Sequence, residues 1–179
     1  MNDRFRPKTS WRAKLDKDQP RKLVPASTGF GFGPGILLIP RPSDVDAVIR
    51  KVRRGKLVTI QQIRARLAAD FNSLPIAERN AALTKAGVAD RRADSACPLC
   101  TGIFLRIAAE AAEEDRRAGK TRITPYWRVV RDDGSLHEKF PGGPRAQADH
   151  LRAEGHRLEP ARGKKPPKVR DFDRKLAKL

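Results

Sequence analysis

Apolar residues recur at helical spacing in two segments that begin soon after residue 42. The first predicted helix covers residues 44–53, with Ser43 as its N-cap and Gly55 beyond its end. Its apolar positions are Val45, Val48, Ile49 and Val52. The second predicted helix covers residues 60–71, with Thr59 as its N-cap and Ile60, Ile63 and Leu67 on one side. Both patterns indicate amphipathic helices with one buried face.

A longer helix is predicted over residues 98–118. Pro98 suits a first helical turn, and Gly119 suits the position after the last turn. The apolar residues Leu99, Ile103, Ile107 and Ala111 follow one another at intervals of four. Between this helix and the second one, residues 72–96 form an insertion with a short predicted helix over residues 75–85.

The segment after the long helix is predicted to contain a strand, a turn and a last helix. The strand covers residues 122–130 and is interrupted at Pro125, and residues 132–134 form the turn. The last helix runs from residue 142 to residue 154 and ends at Gly155. We therefore predict a mainly α fold, a winged helix-turn-helix with a short strand wing.

The charge is concentrated at the two ends of the chain. The 179 residues include 39 Lys or Arg and 21 Asp or Glu, a formal net charge of +18. Residues 1–22 carry +5 and residues 157–179 carry +6. Both ends are poor in large apolar residues, so we expect flexible basic arms that bind a polyanion or keep the chain in solution. Trp11 is unusual in such an arm and is a candidate for docking onto the body.

These patterns divide the chain into one domain with two appendages. Residues 1–41 form a basic arm and a Gly/Pro-rich linker, residues 42–157 the folded domain, and residues 158–179 a basic tail. The alternating glycines of the linker lead into an apolar tetrapeptide instead of a helix, so a phosphate-binding loop is disfavoured there. We expect the linker to end in a short extended segment packed on the core.

The remaining composition narrows the class of protein. There is no apolar run long enough for a membrane span, and no secretory signal is recognised. With two cysteines, a disulfide framework is excluded. We expect a cytoplasmic monomer without a cofactor, associated with the nucleoid if the host is bacterial, and nucleic acid as the partner.

Three segments together resemble the DNA-binding domain of the alkylguanine DNA alkyltransferases, the methylated-DNA-cysteine methyltransferase family. They are Gly55-Lys-Leu-Val-Thr-Ile-Gln-Gln-Ile63, then Pro125-Tyr-Trp-Arg-Val-Val130 with Asp133-Gly134, and finally Gly142-Gly143 with Glu154-Gly155. The family has Pro-Cys-His-Arg-Val-Val at the second segment. The resemblance covers residues 42–157 and implies a winged-helix domain that binds duplex DNA through the minor groove.

The departures from the family motif concern its chemistry. Tyr126 stands where the family has the cysteine that accepts the alkyl group, and Trp127 stands where it has the assisting histidine. Glu154 matches the glutamate that orients that histidine. A phenol is mostly protonated at neutral pH and is a poor substitute for a thiolate. The chain is therefore similar to the alkyltransferase-like group, which binds alkylated DNA, flips the damaged base and presents it to a repair partner.

The resemblance implies a set of DNA-binding positions. The helix that begins at Pro98 corresponds to the recognition helix, with Cys100, Gly102 and Arg106 toward DNA. Leu99 stands where the family inserts an arginine into the base stack, and an apolar side chain there can also separate two base pairs. The remaining DNA-binding positions are Thr59, Gln61 and Arg128, and the base-pocket positions are Tyr126, Trp127, Phe140 and Gly142. Alternatives stay open: Leu99 as a core residue, Arg128 as an internal ion-pair partner, and Tyr126 and Trp127 as fillers of the pocket.

Two other constellations are weaker candidates for chemistry. Cys97 and Cys100 have a CxxC spacing, but no paired histidines complete a zinc site, so no metal site is expected. Cys100 remains the one candidate for a replacement nucleophile, since a helix N-terminus lowers a thiol pKa. The acidic residues Glu110, Glu113, Glu114 and Asp115 are expected to form a solvated helix face.

The function expected from the sequence is duplex DNA binding with sensing of alkylated guanine by base flipping, without alkyl transfer. Two alternatives belong to other classes. One is a glycosylase or lyase that acts on a flipped base and depends on Glu154 or Tyr126. The other is a general nucleic-acid-binding protein with a vestigial pocket.

Overall fold

The computed structural model describes residues 9–26, 35–84, 91–161 and 163–179. The glycines at 29–33, the first eight residues and the last residue of the predicted helix over 75–85 lie outside this part. The helices are α1 (Trp11–Leu15), α2 (Pro42–Arg50), α3 (Ile60–Asn72), α4 (Ile76–Asn80), α5 (Pro98–Arg117) and α6 (Gly143–Ala153). The strands are β1 (Lys22–Pro25), β2 (Ile36–Ile39), β3 (Val58–Thr59), β4 (Leu83–Thr84), β5 (Ser95–Ala96), β6 (Val129–Val130), β7 (Leu158–Glu159) and β8 (Lys168–Val169). The fold is thus mainly helical with small sheets.

Helix α3 begins where the sequence predicts. The Thr59 hydroxyl accepts a hydrogen bond from the Gln62 backbone N–H at 3.2 Å, and the Gln62 side chain accepts one from the Thr59 N–H at 3.0 Å. This reciprocal capping satisfies two backbone donors that a helix start leaves free. The predicted start of α3 is therefore confirmed.

Helix α2 begins two residues earlier than predicted, at Pro42. Its N-cap is Arg41, whose backbone N–H donates to the Asp44 carboxylate at 2.9 Å. Proline is favoured in a first turn because its missing N–H needs no acceptor. The prediction of Ser43 as the N-cap is therefore wrong, whereas the apolar positions Val45, Val48 and Ile49 are buried as predicted.

The N-terminal segment and the insertion join in one four-stranded sheet with the strand order β4-β1-β2-β5. Strands β1 and β2 are antiparallel, and Leu23 lies opposite Leu38. Strands β4 and β5 come from the predicted insertion and flank that pair in parallel. The extended segment predicted after the linker is confirmed as β2, with Leu38 in the core.

The N-terminal arm is ordered over its described residues, which corrects the expectation of a flexible segment. The Glu114 carboxylate of α5 accepts hydrogen bonds from the backbone N–H groups of Trp11 (2.9 Å) and Arg12 (2.8 Å). Arg12 also forms an ion pair with Asp115 at 3.0 Å, and Leu15 is buried in the core. Arg12 of the arm is therefore paired with a carboxylate that lies 103 residues away along the chain.

The C-terminal tail is also attached to the body, again contrary to the expectation. Strand β8 pairs with β7, and Val169 is buried. The backbone of Leu57 donates to the Lys175 carbonyl at 2.9 Å and accepts from the Ala177 N–H at 2.8 Å. Backbone pairing of this kind does not require a hydrophobic sequence, which is why composition missed it.

Helix α5 begins at the predicted residue and ends one residue before the predicted end. The four apolar residues predicted on one side of it differ in burial. Ala111 is buried and Ile107 half-buried, whereas Leu99 and Ile103 are 70% and 50% exposed. The buried face includes Leu105, Ala108, Ala109 and Ala112. The first two turns of α5 thus carry large apolar side chains outside the core.

The strand predicted over residues 122–130 is present only at β6. Residues Tyr126–Arg128 form a 3-10 turn after Pro125, and β6 then pairs in parallel with β3. Gly134 closes the predicted turn with φ +83°, and Gly155 follows α6 with φ +88°. Among the described residues, no helix has the length and apolar character that a membrane crossing requires.

The difference in burial between Leu105 and Leu99 on α5 predicts a difference in their contributions to stability. Leu105→Ala removes a fully buried side chain and is expected to lower the free energy of unfolding by about 2–5 kcal/mol. Leu99→Ala makes the same change on the exposed part of the same helix and is expected to cost less than about 0.5 kcal/mol. Urea unfolding of both variants measures the two values. Equal losses would show that Leu99 belongs to the core.

Candidate functional site

A wide groove lies beside the first turns of α5. Its volume is about 740 Å³. Helix α5 contributes Leu99, Gly102, Ile103 and Arg106, and α1 contributes Trp11 and Lys14. The loop after β6 contributes Arg131, His137, Lys139 and Phe140, and Ile60 lies at the start of α3. Four separate parts of the chain therefore build the groove.

The α5 side of the groove presents an apolar surface with a gap in it. Leu99 and Ile103 are the exposed apolar residues described above, and Gly102 lies between them. A Cβ atom added at Gly102 would meet no atom within 4 Å. Internal packing therefore does not require a glycine there, and its small size leaves the helix backbone open to a partner. Contiguous exposed apolar groups of this kind are typical of interaction sites.

The charge around the groove is positive. Four cations (Lys14, Arg106, Arg131 and Lys139) and two carboxylates (Asp132 and Glu138) line it, a net charge of +2. Two of these cations form long ion pairs. Arg106 Nε lies 3.8 Å from Glu110, which is not a lining residue, and Arg131 lies 3.8 Å from the lining residue Glu138. Cations on such loose, exposed pairs remain free to bind an external anion.

Trp11 forms the far wall of the groove together with two cations. The ammonium of Lys14 lies 4.0 Å from the centroid of the indole ring, and the guanidinium of Arg106 lies 6.0 Å from it. The indole ring is half-buried, so part of it faces the groove. An aromatic face flanked by cations is suited to a base and its phosphate.

His137 contributes a neutral imidazole to the groove. Its ring stacks on Phe140 at 4.4 Å, and its backbone N–H donates to the Gln147 side chain at 2.8 Å. Burial, together with the nearby charge of Arg131, lowers its pKa from 6.5 to about 4. Its Nε2 atom is buried and has no hydrogen-bond partner among the described residues.

Tyr126 lies behind the groove, in the core. It is 1% exposed, and its hydroxyl donates to Glu113 Oε1 at 3.0 Å. Burial and the Glu113 carboxylate raise the pKa of the phenol above its ordinary value of 10. Its ring meets Phe140 and Trp127 edge to face, at 5.4 and 5.5 Å. The side chain is therefore a neutral group of the core.

The carboxylate of Glu154 binds Trp127 and Arg128, which follow Tyr126 in the chain. Its carboxylate accepts a hydrogen bond from the Trp127 indole N–H at 2.8 Å and forms an ion pair with Arg128 at 2.8 Å. Burial opposes ionisation, but the hydrogen bonds from Arg128 and Trp127 outweigh it and hold the pKa of Glu154 below its ordinary value. Arg128 also donates to the Val52 carbonyl at 2.6 Å. The charges of Arg128 and Glu154 are therefore paired with each other inside the domain.

The predicted site residues therefore separate into two groups. Leu99, Gly102, Arg106 and Phe140 line the groove. Arg128 and Trp127 belong to the internal network instead, because their polar groups are satisfied by Glu154. Thr59 is buried and serves as the N-cap of α3, while Gln61 is exposed and its backbone N–H donates to Asp132.

Gly142 and Cys100 have structural surroundings that differ from their expected roles. Gly142 has φ +70° at the start of α6, where an added Cβ would lie 2.6 Å from that of Ala146. Cys100 is half-buried, and burial together with Cys97 raises its thiol pKa to about 11. A raised pKa disfavours the thiolate, so the helix N-terminus does not activate Cys100 as expected.

The acidic run of α5 faces the interior, which corrects the expectation of a solvated face. Glu113 and Asp115 are buried, and Glu114 caps α1 as described above. Asp115 also forms an ion pair with Lys120 at 2.7 Å. Within the described ranges, no three His, Cys, Asp or Glu side chains are grouped so as to hold a metal ion.

Sequence reasoning missed several groove residues: Lys14, Arg131, His137 and Lys139. These lie outside the motif that carries the resemblance or on the loop after it. Trp11 gave a usable signal, because a tryptophan in a charged arm needs a surface to cover it.

Comparison with known proteins supplies no relative. No family model, curated protein or solved structure matches this chain.

The environment of His137 predicts a pH dependence of stability. Its folded pKa of about 4 lies below the value of 6.5 for a free imidazole, so the unfolded chain binds the proton more readily. The unfolding free energy is therefore expected to fall as the pH drops from 6.5 to 4, by about 3 kcal/mol from this group. NMR titration of His137 and urea unfolding at several pH values measure both quantities.

The matched control for this titration is His137→Gln. The pKa of His156 is also lowered by burial, and that residue is unchanged in the variant, so the difference between the two proteins isolates His137. A midpoint near 6.5 for His137, or identical pH profiles, would contradict the assignment.

Proposed function

We propose that this protein binds duplex DNA at the groove beside α5, senses alkylated guanine there and transfers no alkyl group. In this proposal α3 and α5 form the helix-turn-helix, and the loop after β6 forms the wing. The resemblance of three sequence segments to the alkylguanine DNA alkyltransferases supports duplex DNA as the ligand and the minor groove as the place of contact. The completion of repair then falls to a partner protein.

The exposure of Leu99 and Ile103 is the observation that carries the proposal. A large apolar side chain at the start of a helix, outside the core, is stabilised when it is inserted between base pairs. Gly102 leaves room for the backbone of α5 to approach a groove wall. The alternative of Leu99 as a core residue is incompatible with its 70% exposure.

The absence of alkyl transfer rests on Tyr126 and Cys100. The alkyl transfer of the family uses an anionic nucleophile, whereas the phenol of Tyr126 is buried and its pKa is raised. The Cys100 thiol has a raised pKa as well. Neither group offers the accessible thiolate that the family uses.

A binding experiment tests the proposal directly. Matched duplexes with and without an O-alkylated guanine are titrated across a salt series, and the recovered protein and DNA are weighed by mass spectrometry. We expect preference for the alkylated duplex, with both masses unchanged. Equal binding of the two duplexes that salt abolishes would instead support a general nucleic-acid-binding protein, because the net charge of +18 is enough for salt-sensitive binding to any duplex. A changed DNA mass would indicate a base-flipping enzyme.

Leu99→Asp tests the role of the apolar rim. It places an unpaired carboxylate against the DNA and is expected to weaken binding at least about tenfold, that is by about 1.4 kcal/mol. Ile76→Asp is the matched control, because Ile76 is 67% exposed in α4 and does not line the groove. It makes the same change of charge and is expected to alter binding less than about twofold. Equal losses would show that net charge alone matters.

A further inference from the structure

A second cavity lies at the other end of the last helix, between the turn after α6 and the segment that the sequence assigned to a flexible tail. It has a volume of about 310 Å³ and shares no lining residue with the groove. Its lining residues are Gly155, His156, Arg157, Arg170, Asp171 and Lys175. They come from the turn after α6, from the end of β8 and from the following 3-10 turn (Phe172–Lys175).

The cations of this cavity have no carboxylate partners. In the described part of the chain, Arg157, Arg170 and Lys175 form no ion pair, whereas other arginines such as Arg12 and Arg128 are paired within 3.0 Å. Asp171 is the single acidic residue that lines the cavity, which leaves a net charge of +2. Like charges gathered around a concave surface repel one another until an anion enters it.

His156 supplies a second and independent observation. It is 6% exposed, and its Nε2 atom is buried without a hydrogen-bond partner among the described residues. Burial lowers its pKa, and the nearby Lys175 acts in the same direction. A buried ring nitrogen without a partner costs free energy, which a ligand in the cavity can recover.

The backbone holds the cavity wall in place. The Arg170 backbone N–H donates to the Arg157 carbonyl at 2.9 Å, next to the β7–β8 pair. The Lys175 carbonyl accepts from the Leu57 N–H at 2.9 Å, which ties the 3-10 turn to the body. Between them, Asp171 adopts φ +52°, in the left-handed region that aspartate tolerates. The wall is thus preorganised, which lowers the entropy cost of binding.

We propose that this cavity is a binding site for a phosphate group that is either free or terminal. Such a group carries a charge between −1.5 and −2 at neutral pH and three acceptor oxygens, which match two guanidinium groups, one ammonium and a net charge of +2. The source is either free inorganic phosphate or the terminal phosphate of a nucleotide or oligonucleotide. The proposal does not depend on DNA binding at the groove.

Calorimetry of the full-length chain tests the site at constant ionic strength. The probes are inorganic phosphate, adenosine monophosphate, and one oligonucleotide with and without a 5′ phosphate. In the double variant Arg170→Gln/Lys175→Gln we expect phosphate binding to weaken at least tenfold. The control Arg174→Gln/Lys178→Gln removes the same charge from exposed residues that do not line the cavity, and we expect a change below twofold.

NMR of the unaltered protein gives a readout that does not depend on how the variants fold. We expect the imidazole resonances of His156 to shift on addition of phosphate and to saturate with the calorimetric affinity. Tighter binding of the 5′-phosphorylated oligonucleotide than of the unphosphorylated one would identify the terminal phosphate as the source. Equal binding of the two oligonucleotides, with saturable binding of inorganic phosphate, would identify free phosphate.

Three results would overturn the site. They are the absence of saturable phosphate binding, equal losses in the two double variants, and His156 resonances that do not respond. Loss of DNA binding in a groove variant such as Leu99→Asp does not affect the inorganic phosphate titration. A failure of the DNA-binding proposal can therefore be told apart from a failure of this one.

Discussion

The inward-facing carboxylates of α5 are the interaction on which the rest of the structure depends. Three consecutive acidic residues hold three different partners: Glu113 accepts from the Tyr126 hydroxyl, Glu114 caps α1, and Asp115 pairs with Arg12. Each partner is itself a donor that would otherwise be buried without an acceptor or left in water. Glu113 holds the turn that contains Tyr126, whereas Glu114 and Asp115 both hold α1, so the second half of α5 anchors two separate elements.

The same helix builds the groove because its two halves meet different surroundings. The second half is covered by α1 and α2, and its small alanines allow those elements to pack closely. The first half extends beyond that cover, so Leu99 and Ile103 stay in solvent. Since Glu114 fixes the start of α1, it also places Trp11 across the groove from those residues. A structural hydrogen bond thereby determines the shape of the candidate binding surface.

The large positive charge of the chain is used in two different ways. Part of it is consumed inside the fold, as in the pairs Arg12–Asp115, Arg21–Asp44 and Arg128–Glu154. Another part lies unpaired or loosely paired around the two cavities, at Arg106 and Arg131 in the groove and at Arg170 in the second cavity. Net charge alone therefore says little about where an anion binds. The distribution of carboxylate partners decides which cations remain available to a ligand.

The sequence by itself determined the local features: the cap at Thr59, the bounds of α5 and the end of α6 at Gly155. Capping and helical periodicity depend on residues three or four positions apart, so a single sequence contains all the information they need. The resemblance also pointed to Leu99, Gly102, Arg106 and Phe140, which line the groove in the structure. Tertiary structure alone decided that the acidic run faces inward, that the described parts of both tails pack on the body and that His156 lines a cavity. Those outcomes depend on contacts such as Glu114 with Trp11, which are 103 residues apart and leave no periodic trace in the chain.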